Sequence, residues 1–153
     1  MYDVHRFRAE HGIEMSRNLF DDEATRLSIG QWGGREWVRV EQAGPAFTLA
    51  RRGQPVLCSG VTWRHHGCWM AWMIRTVDLA GLDMLPVHRH TLTFLDDFQN
   101  DDPDRRRIEM SVLESFMAGK RWAKMLGFEQ EGLMKSYDPA GRDHYLYARV
   151  RSN

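Results

Sequence analysis

Residues Arg107–Val150 read RIEMSVLESFMAGKRWAKMLGFEQEGLMKSYDPAGRDHYLYARV. Ile108–Leu113 is a run of mostly apolar residues and predicts a strand. Ser115 is placed to cap a helix that runs through Leu126, with Gly127 as its C-terminal stop. Two further strands are expected at Gly132–Tyr137 and His144–Arg151. Between them Asp138-Pro139-Ala140-Gly141 fits a tight turn with Pro second and Gly fourth. A strand, a short helix and a terminal hairpin therefore close the chain.

The pattern upstream extends this frame. Pro86 suits the first turn of a helix, where its missing N–H has no partner to lose. Val87, Thr91, Leu95 and Phe98 continue at helical spacing, with Leu92 widening the stripe. Asn100-Asp101-Asp102-Pro103 ends that helix, and Val77–Leu85 before it reads as a loop. Further back, Phe47–Arg51, Pro55–Arg64 and Gly67–Thr76 form a three-stranded meander. Its turns fall at Arg52-Gly53-Gln54 and His65-His66. Cys68–Ile74 is apolar on both faces, which suits the centre of a covered sheet. At the start, Tyr2–Arg8 alternates as a short strand. Asn18 or Asp21 is expected to cap a helix through about Ile29, broken by Gln31-Trp32-Gly33-Gly34. Arg35–Gln42 is expected to be a second helix, ended by Ala43-Gly44-Pro45. The expected order is β-α-α-β-β-β-α-β-α-β-β, a single α/β domain over residues 1–153 with one mixed sheet.

Composition narrows the function classes. The 153 residues carry 21 basic and 21 acidic side chains, so no overall basic excess points to nucleic acid. Two cysteines do not make a disulfide framework, and a reducing compartment is expected. The first residues, MYDVHRFRAEHG, hold no apolar signal core. No window approaches the ~20 apolar residues of a membrane span. Six tryptophans and nine methionines suggest a bulky, adaptable interior.

The strand, the helix ending in Leu126-Gly127-Phe128, the Glu129-Gln130-Glu131-Gly132 run and the hairpin together resemble the C-terminal half of the GNAT-type N-acetyltransferases. Pro55, Gly60-Val61, Cys68-Trp69 and Tyr137 through Asp143 look most like a bacteriophage group within them. That group includes phage acetyltransferases and an internal virion protein of short-tailed phages. The resemblance implies acetyl-CoA as cosubstrate and a small-molecule or protein amine as acceptor. It implies the host cytoplasm or the virion as location, with a phage or host protein as a further partner. It also implies that the fourth and fifth strands splay, leaving backbone donors at Ile74, Arg75 and Thr76 for pantetheine and the thioester carbonyl. The pyrophosphate would lie against Gly81, Leu82, Asp83, Met84, Leu85 and Val87 at a helix start.

This sequence departs from the family pattern at two places. The phosphate segment Ala80–Pro86 has one glycine, an acidic residue and a proline, where spaced glycines are usual. His88, Arg89 and His90 offer charge nearby. The helix positions that often hold an Asn and a Tyr general acid carry Phe116 and Ala123. The fourth-strand Glu base is also absent. Glu114 at the end of the fifth strand is then the candidate base, or else a solvated strand-end charge. Tyr137 is a candidate general acid. Trp63, Trp69 and Trp72 line an acceptor pocket or fill the core. A turn centred on His65-His66 sets Cys58 and Cys68 about three pairs apart, so no shared metal is expected. Two functions follow: an acyl-CoA-dependent N-acyltransferase, or a virion or host-interaction protein that keeps the fold without catalysis.

Overall fold

Seven strands form one mixed sheet: β1 (Asp3–Arg6), β2 (Ala46–Arg51), β3 (Gln54–His65), β4 (Cys68–Arg75), β5 (Arg107–Leu113), β6 (Glu129–Met134) and β7 (His144–Val150), in the order β1-β2-β3-β4-β5-β7-β6. Four helices accompany them among the described residues: α1 (Ala9–Met15), α2 (Gly34–Gln42), α3 (Met84–Asn100) and α4 (Met117–Met125). The structure is a computed structural model that describes residues 1–19, 29, 32–76 and 84–151. As expected, β4 is the middle strand and runs parallel to β5. Only Cys68 in it is fully buried, and the rest of the strand is half-buried.

The chain divides into two compact units, Met1–Thr62 with Ala71–Asp83, and Trp63–Met70 with Met84–Asn153. In the first, β1 and β3 flank β2 as antiparallel neighbours. Phe7, Met15, Trp37 and Cys58 form its buried core, with Trp72 and Ile74 packed against it. Gly12 lets α1 press against α2, because a Cβ there would overlap the Trp37 indole. The Trp37 indole N–H donates to Ser16 Oγ at 3.1 Å, and the Ser16 hydroxyl donates to the Gly12 carbonyl at 2.8 Å. Burial pushes the Cys58 thiol up to about 12, so it stays protonated and inert.

In the second unit β7 pairs along its whole length with β5, from Arg107↔Val150 to Leu113↔His144. Its other edge carries β6. Val87, Thr91, Leu95 and Phe98 are the buried stripe of α3, as their spacing predicts. Arg149 ties the two helices to β7. Its Nε donates to the Leu126 carbonyl at 2.9 Å, Nη1 donates to Gln99 at 2.7 Å, and Nη2 pairs with Asp96. Gly127 ends α4 with φ 90°, the left-handed position that favours glycine.

Several boundaries differ from expectation. Ala9–Met15 is helical, where no helix was expected, and its Gly12 packs directly against the Trp37 indole. The first strand is shorter, Asp3–Arg6 rather than Tyr2–Arg8. The helix expected up to Ile29 falls almost wholly outside the described residues. So do Gln31 of the expected break and Val77–Asp83 of the expected loop. Met84 and Leu85 belong to α3 rather than to the loop. The β3–β4 turn is His66-Gly67, one residue later than read, because Gly67 supplies the positive φ of 83°. Phe116, not Ser115, is the N-cap of α4, and no side chain caps that end. β6 starts at Glu129, and an irregularity between Gln130 and Gly132 resets its register with β7.

Trp37 is fully buried at the α1–α2 contact. Trp37→Ala is expected to lower the unfolding free energy by about 3–5 kcal/mol, read from the midpoint of urea denaturation.

Candidate active site

The β6–β7 connection is organised by one carboxylate. Asp138 Oδ1 accepts the backbone N–H of Ala140 at 3.0 Å and of Arg142 at 2.8 Å. Oδ2 accepts Arg142 Nε at 2.8 Å and His144 Nε2 at 2.9 Å. A short-range aspartate that captures backbone N–H groups is a standard way to shape a loop. The Asp138 carbonyl also accepts from Gly141 at 2.8 Å, which closes the turn expected at Asp138–Gly141. The Asp138 side chain is only 6% exposed. Burial alone would raise its pKa, but the bonds from His144 and Arg142 outweigh that and hold it well below the usual carboxylate range.

An ionised carboxylate only accepts, so His144 must donate from Nε2. Neutral His144 then carries a bare Nδ1. That atom is buried and has no hydrogen-bond partner. An unpaired buried acceptor costs about 1–3 kcal/mol. The Tyr137 ring lies 5.2 Å from the imidazole, tilted by 58°. His144 stands opposite Leu113, the last residue of β5. The next residue, Glu114, is exposed, and its backbone N–H donates to the Asp143 carbonyl at 3.0 Å. Asp143 in turn accepts from the Ser136 N–H at 2.9 Å, next to Tyr137. Glu114 and Tyr137 are thus gathered at one end of this unit, with His144 and Asp138 added to them. Sequence reasoning missed that pair. A six-residue separation across a loop has no fixed geometry, and only the Asp-Pro-x-Gly turn hinted at it.

The predicted cofactor residues divide by what their backbones do. The Thr76 N–H donates to the Val56 carbonyl at 3.0 Å, so Thr76 offers no free amide. Peptide groups alternate along a strand. Ile74 therefore shares Thr76's edge, and Met73 and Arg75 have their N–H groups on the opposite one. The Gly67 carbonyl, of the same parity, accepts from Arg107 of β5 at 3.1 Å. The β4–β5 register covers Cys68↔Arg107, Trp69↔Ile108 and Met70↔Glu109, while β4 runs to Arg75 and β5 to Leu113. Gly81, Leu82 and Asp83 lie outside the described residues. Met84 and Leu85 are exposed in the first turn of α3, while the Val87 side chain is fully buried and leaves only its backbone.

His88 Nδ1 accepts the Trp122 indole N–H at 3.0 Å. Burial lowers the His90 pKa, and Arg89 beside it is a cation. Trp69 packs edge-on to Phe98 at 4.9 Å, and Trp72 to Phe7 at 5.3 Å. Trp63 is 59% exposed. Among the described residues no three metal-ligating side chains cluster, and no helix is long and apolar enough to cross a membrane.

No family model matches the sequence. No curated protein sequence matches it either. Solved structures do match. A ribosomal-protein-S5-alanine acetyltransferase from Vibrio fischeri aligns with TM-score 0.71 and 12% identity over 99% of this chain and 94% of its own. A GNAT-family acetyltransferase from Streptococcus pneumoniae aligns with TM-score 0.72 and 11% identity over 99% of this chain and 100% of its own. An N-acetyltransferase from Staphylococcus aureus gives TM-score 0.72 and 11% identity over 98% of both chains. The chain has the GNAT fold. Within this GNAT fold, Phe116 is 42% exposed at the N-cap of α4 and Ala123 is buried inside it. Neither side chain can transfer a proton.

Asp138 has a depressed pKa, so its stabilising effect is present above the ordinary value of 3.8 and is lost as pH falls below it. Asp138→Asn keeps an oxygen for the loop amides but loses the charge that holds Arg142 and His144. Its Tm is expected to fall by several degrees at neutral pH, with the gap to the parent chain narrowing below about pH 4. Thermal melts of both chains across acid pH measure this.

Proposed function

We propose that the protein is an acyl-CoA-dependent N-acyltransferase that moves an acetyl group from coenzyme A to an amine. The observation that carries this reading is a GNAT fold whose fourth strand continues past its short register with the fifth. The Met73 amide on that edge suits the pantetheine chain and the thioester carbonyl, and preorganised backbone donors stabilise the developing oxyanion. The pyrophosphate would lie against the start of α3, along Gly81, Leu82, Asp83, Met84, Leu85 and the Val87 backbone. Pro86 has no N–H to add, so Arg89 supplies charge. The bound cosubstrate supplies an activated acyl carbon.

Glu114 accepts the first proton from the incoming ammonium, directly or through water, so that a neutral amine attacks. Tyr137 donates toward the leaving sulfur. The acceptor is a small-molecule or protein amine. The short motifs at Pro55, Gly60-Val61 and Cys68-Trp69 support a bacteriophage origin and a site of action in the host cytoplasm. Phe116 and Ala123 favour a second reading, a virion or host-interaction protein that keeps the fold and has lost catalysis.

Calorimetric titration with acetyl-CoA separates the two. Binding is expected, and at a hundredfold excess over Kd it stabilises the protein by about 2.7 kcal/mol, visible as a raised Tm. No heat and no thermal shift at millimolar acetyl-CoA would favour the non-catalytic reading. Once transfer is observed, Glu114→Gln is expected to lower kcat by ~10²–10⁴-fold with little change in acetyl-CoA affinity. A loss under about threefold removes Glu114 from the role.

A further inference from the structure

We infer that the outward face of α4 is a docking surface for an acidic segment of another protein. The surface does not depend on the acyltransferase reading and lies wholly within the second compact unit. Ser115–Phe128 reads SFMAGKRWAKMLGF and holds three cations, Lys120, Arg121 and Lys124, and no carboxylate. At about 100° per residue, Gly119, Trp122, Ala123 and Leu126 share one side of the helix. Ala123 and Leu126 are buried and Gly119 and Trp122 half-buried, so that side packs on the unit. Met117, Arg121, Lys124 and Met125 fall on the other side, and all four are exposed.

Two features set this face apart from an ordinary solvated helix. Large apolar side chains stand among the charges: Met117 is 56% exposed, Met125 63% and Phe116, at the N-cap, 42%. The Phe116 ring lies against Gly119, where a Cβ would overlap it, so packing fixes its position. The cations are also unanswered. Among the described residues no carboxylate pairs with Lys120, Arg121 or Lys124, whereas Arg64, Arg105, Arg107, Arg142 and Arg149 each have one. The Lys120 ammonium instead lies 5.2 Å from the Tyr145 ring. Glu114 and Glu129 bracket the segment without pairing with these cations.

Charge and spacing select the occupant. Met117 and Met125 stand at the two ends of α4, about 12 Å apart along its axis, with Arg121 and Lys124 between them. A partner satisfies the whole stripe if it sets carboxylates opposite Arg121 and Lys124 and an apolar side chain on each methionine. Thioethers adapt to many apolar shapes, and methionine and arginine are enriched where proteins meet. A second copy of the chain, docked by the same face about a two-fold axis, would set cation against cation. A helix that lies in a membrane surface separates its apolar face from its cationic one. Here the two share one stripe, which favours a protein partner over lipid.

Selection of random displayed dodecapeptides on the immobilised full chain tests this. The recovered clones are expected to combine aspartate or glutamate with leucine, phenylalanine or tryptophan. Their synthetic peptides are expected to bind less tightly as salt rises. Two variants read which side chains hold them, and both are expected to keep the parental Tm because the changed residues are exposed. Arg121→Glu with Lys124→Glu is expected to weaken binding by about tenfold or more, since like charges then meet. Met117→Ser with Met125→Ser is expected to weaken it about tenfold with the salt dependence unchanged. A selection that enriches no acidic and apolar clones overturns the docking surface. So do acidic clones that bind either variant as tightly as the parent. Sedimentation with phosphatidylserine vesicles, lost in the charge-reversed variant and unaccompanied by peptide binding, overturns the protein partner in favour of a lipid surface.

Discussion

The antiparallel ladder between β5 and β7 is the constraint on which the candidate site depends. Seven consecutive pairs lock Arg107 opposite Val150 and Leu113 opposite His144. A slip of one residue would turn every β7 side chain to the other face. Tyr147 would then leave its buried place and Arg149 would lose the Leu126 carbonyl. The same ladder delivers His144 to the end of β5, beside Glu114. Packing far from the site thus fixes which imidazole stands near the candidate chemistry.

Asp138 completes what the ladder begins. A buried carboxylate persists as an ion only when donors surround it. Here two backbone amides, one guanidinium and one imidazole do so. Those bonds shape the loop, and they also set a tautomer. The unpaired His144 Nδ1 is a cost of that arrangement. Native folds tolerate such a cost most readily at functional sites.

The fold and the site differ in how much of each could be read from residues alone. The α3 stripe, the Gly127 stop, the Asp138–Gly141 turn and the central position of β4 followed from periodicity and from the limits of glycine and proline. These depend on neighbours a few residues apart, where geometry is set by the backbone itself. Boundaries shifted where a distant residue intervened. In the Ala9–Met15 helix, Gly12 lies directly against Trp37, far along the chain. Glu129 joins β6 because β7 tolerates an irregularity at Glu131.

By itself the sequence determined the element order from β2 onward, the parallel pairing of β4 with β5 and the absence of a proton-transferring side chain at Phe116 and Ala123. Local pattern and side-chain chemistry are sufficient for those. Only the tertiary structure decided that the Thr76 amide is taken by the Val56 carbonyl, that partial burial lowers the His90 pKa, and that Asp138 and His144 meet. Each of these depends on groups brought together across a turn or between strands. No spacing in the chain encodes such a contact, because a loop of the same length can close in many ways until packing and hydrogen bonding select one.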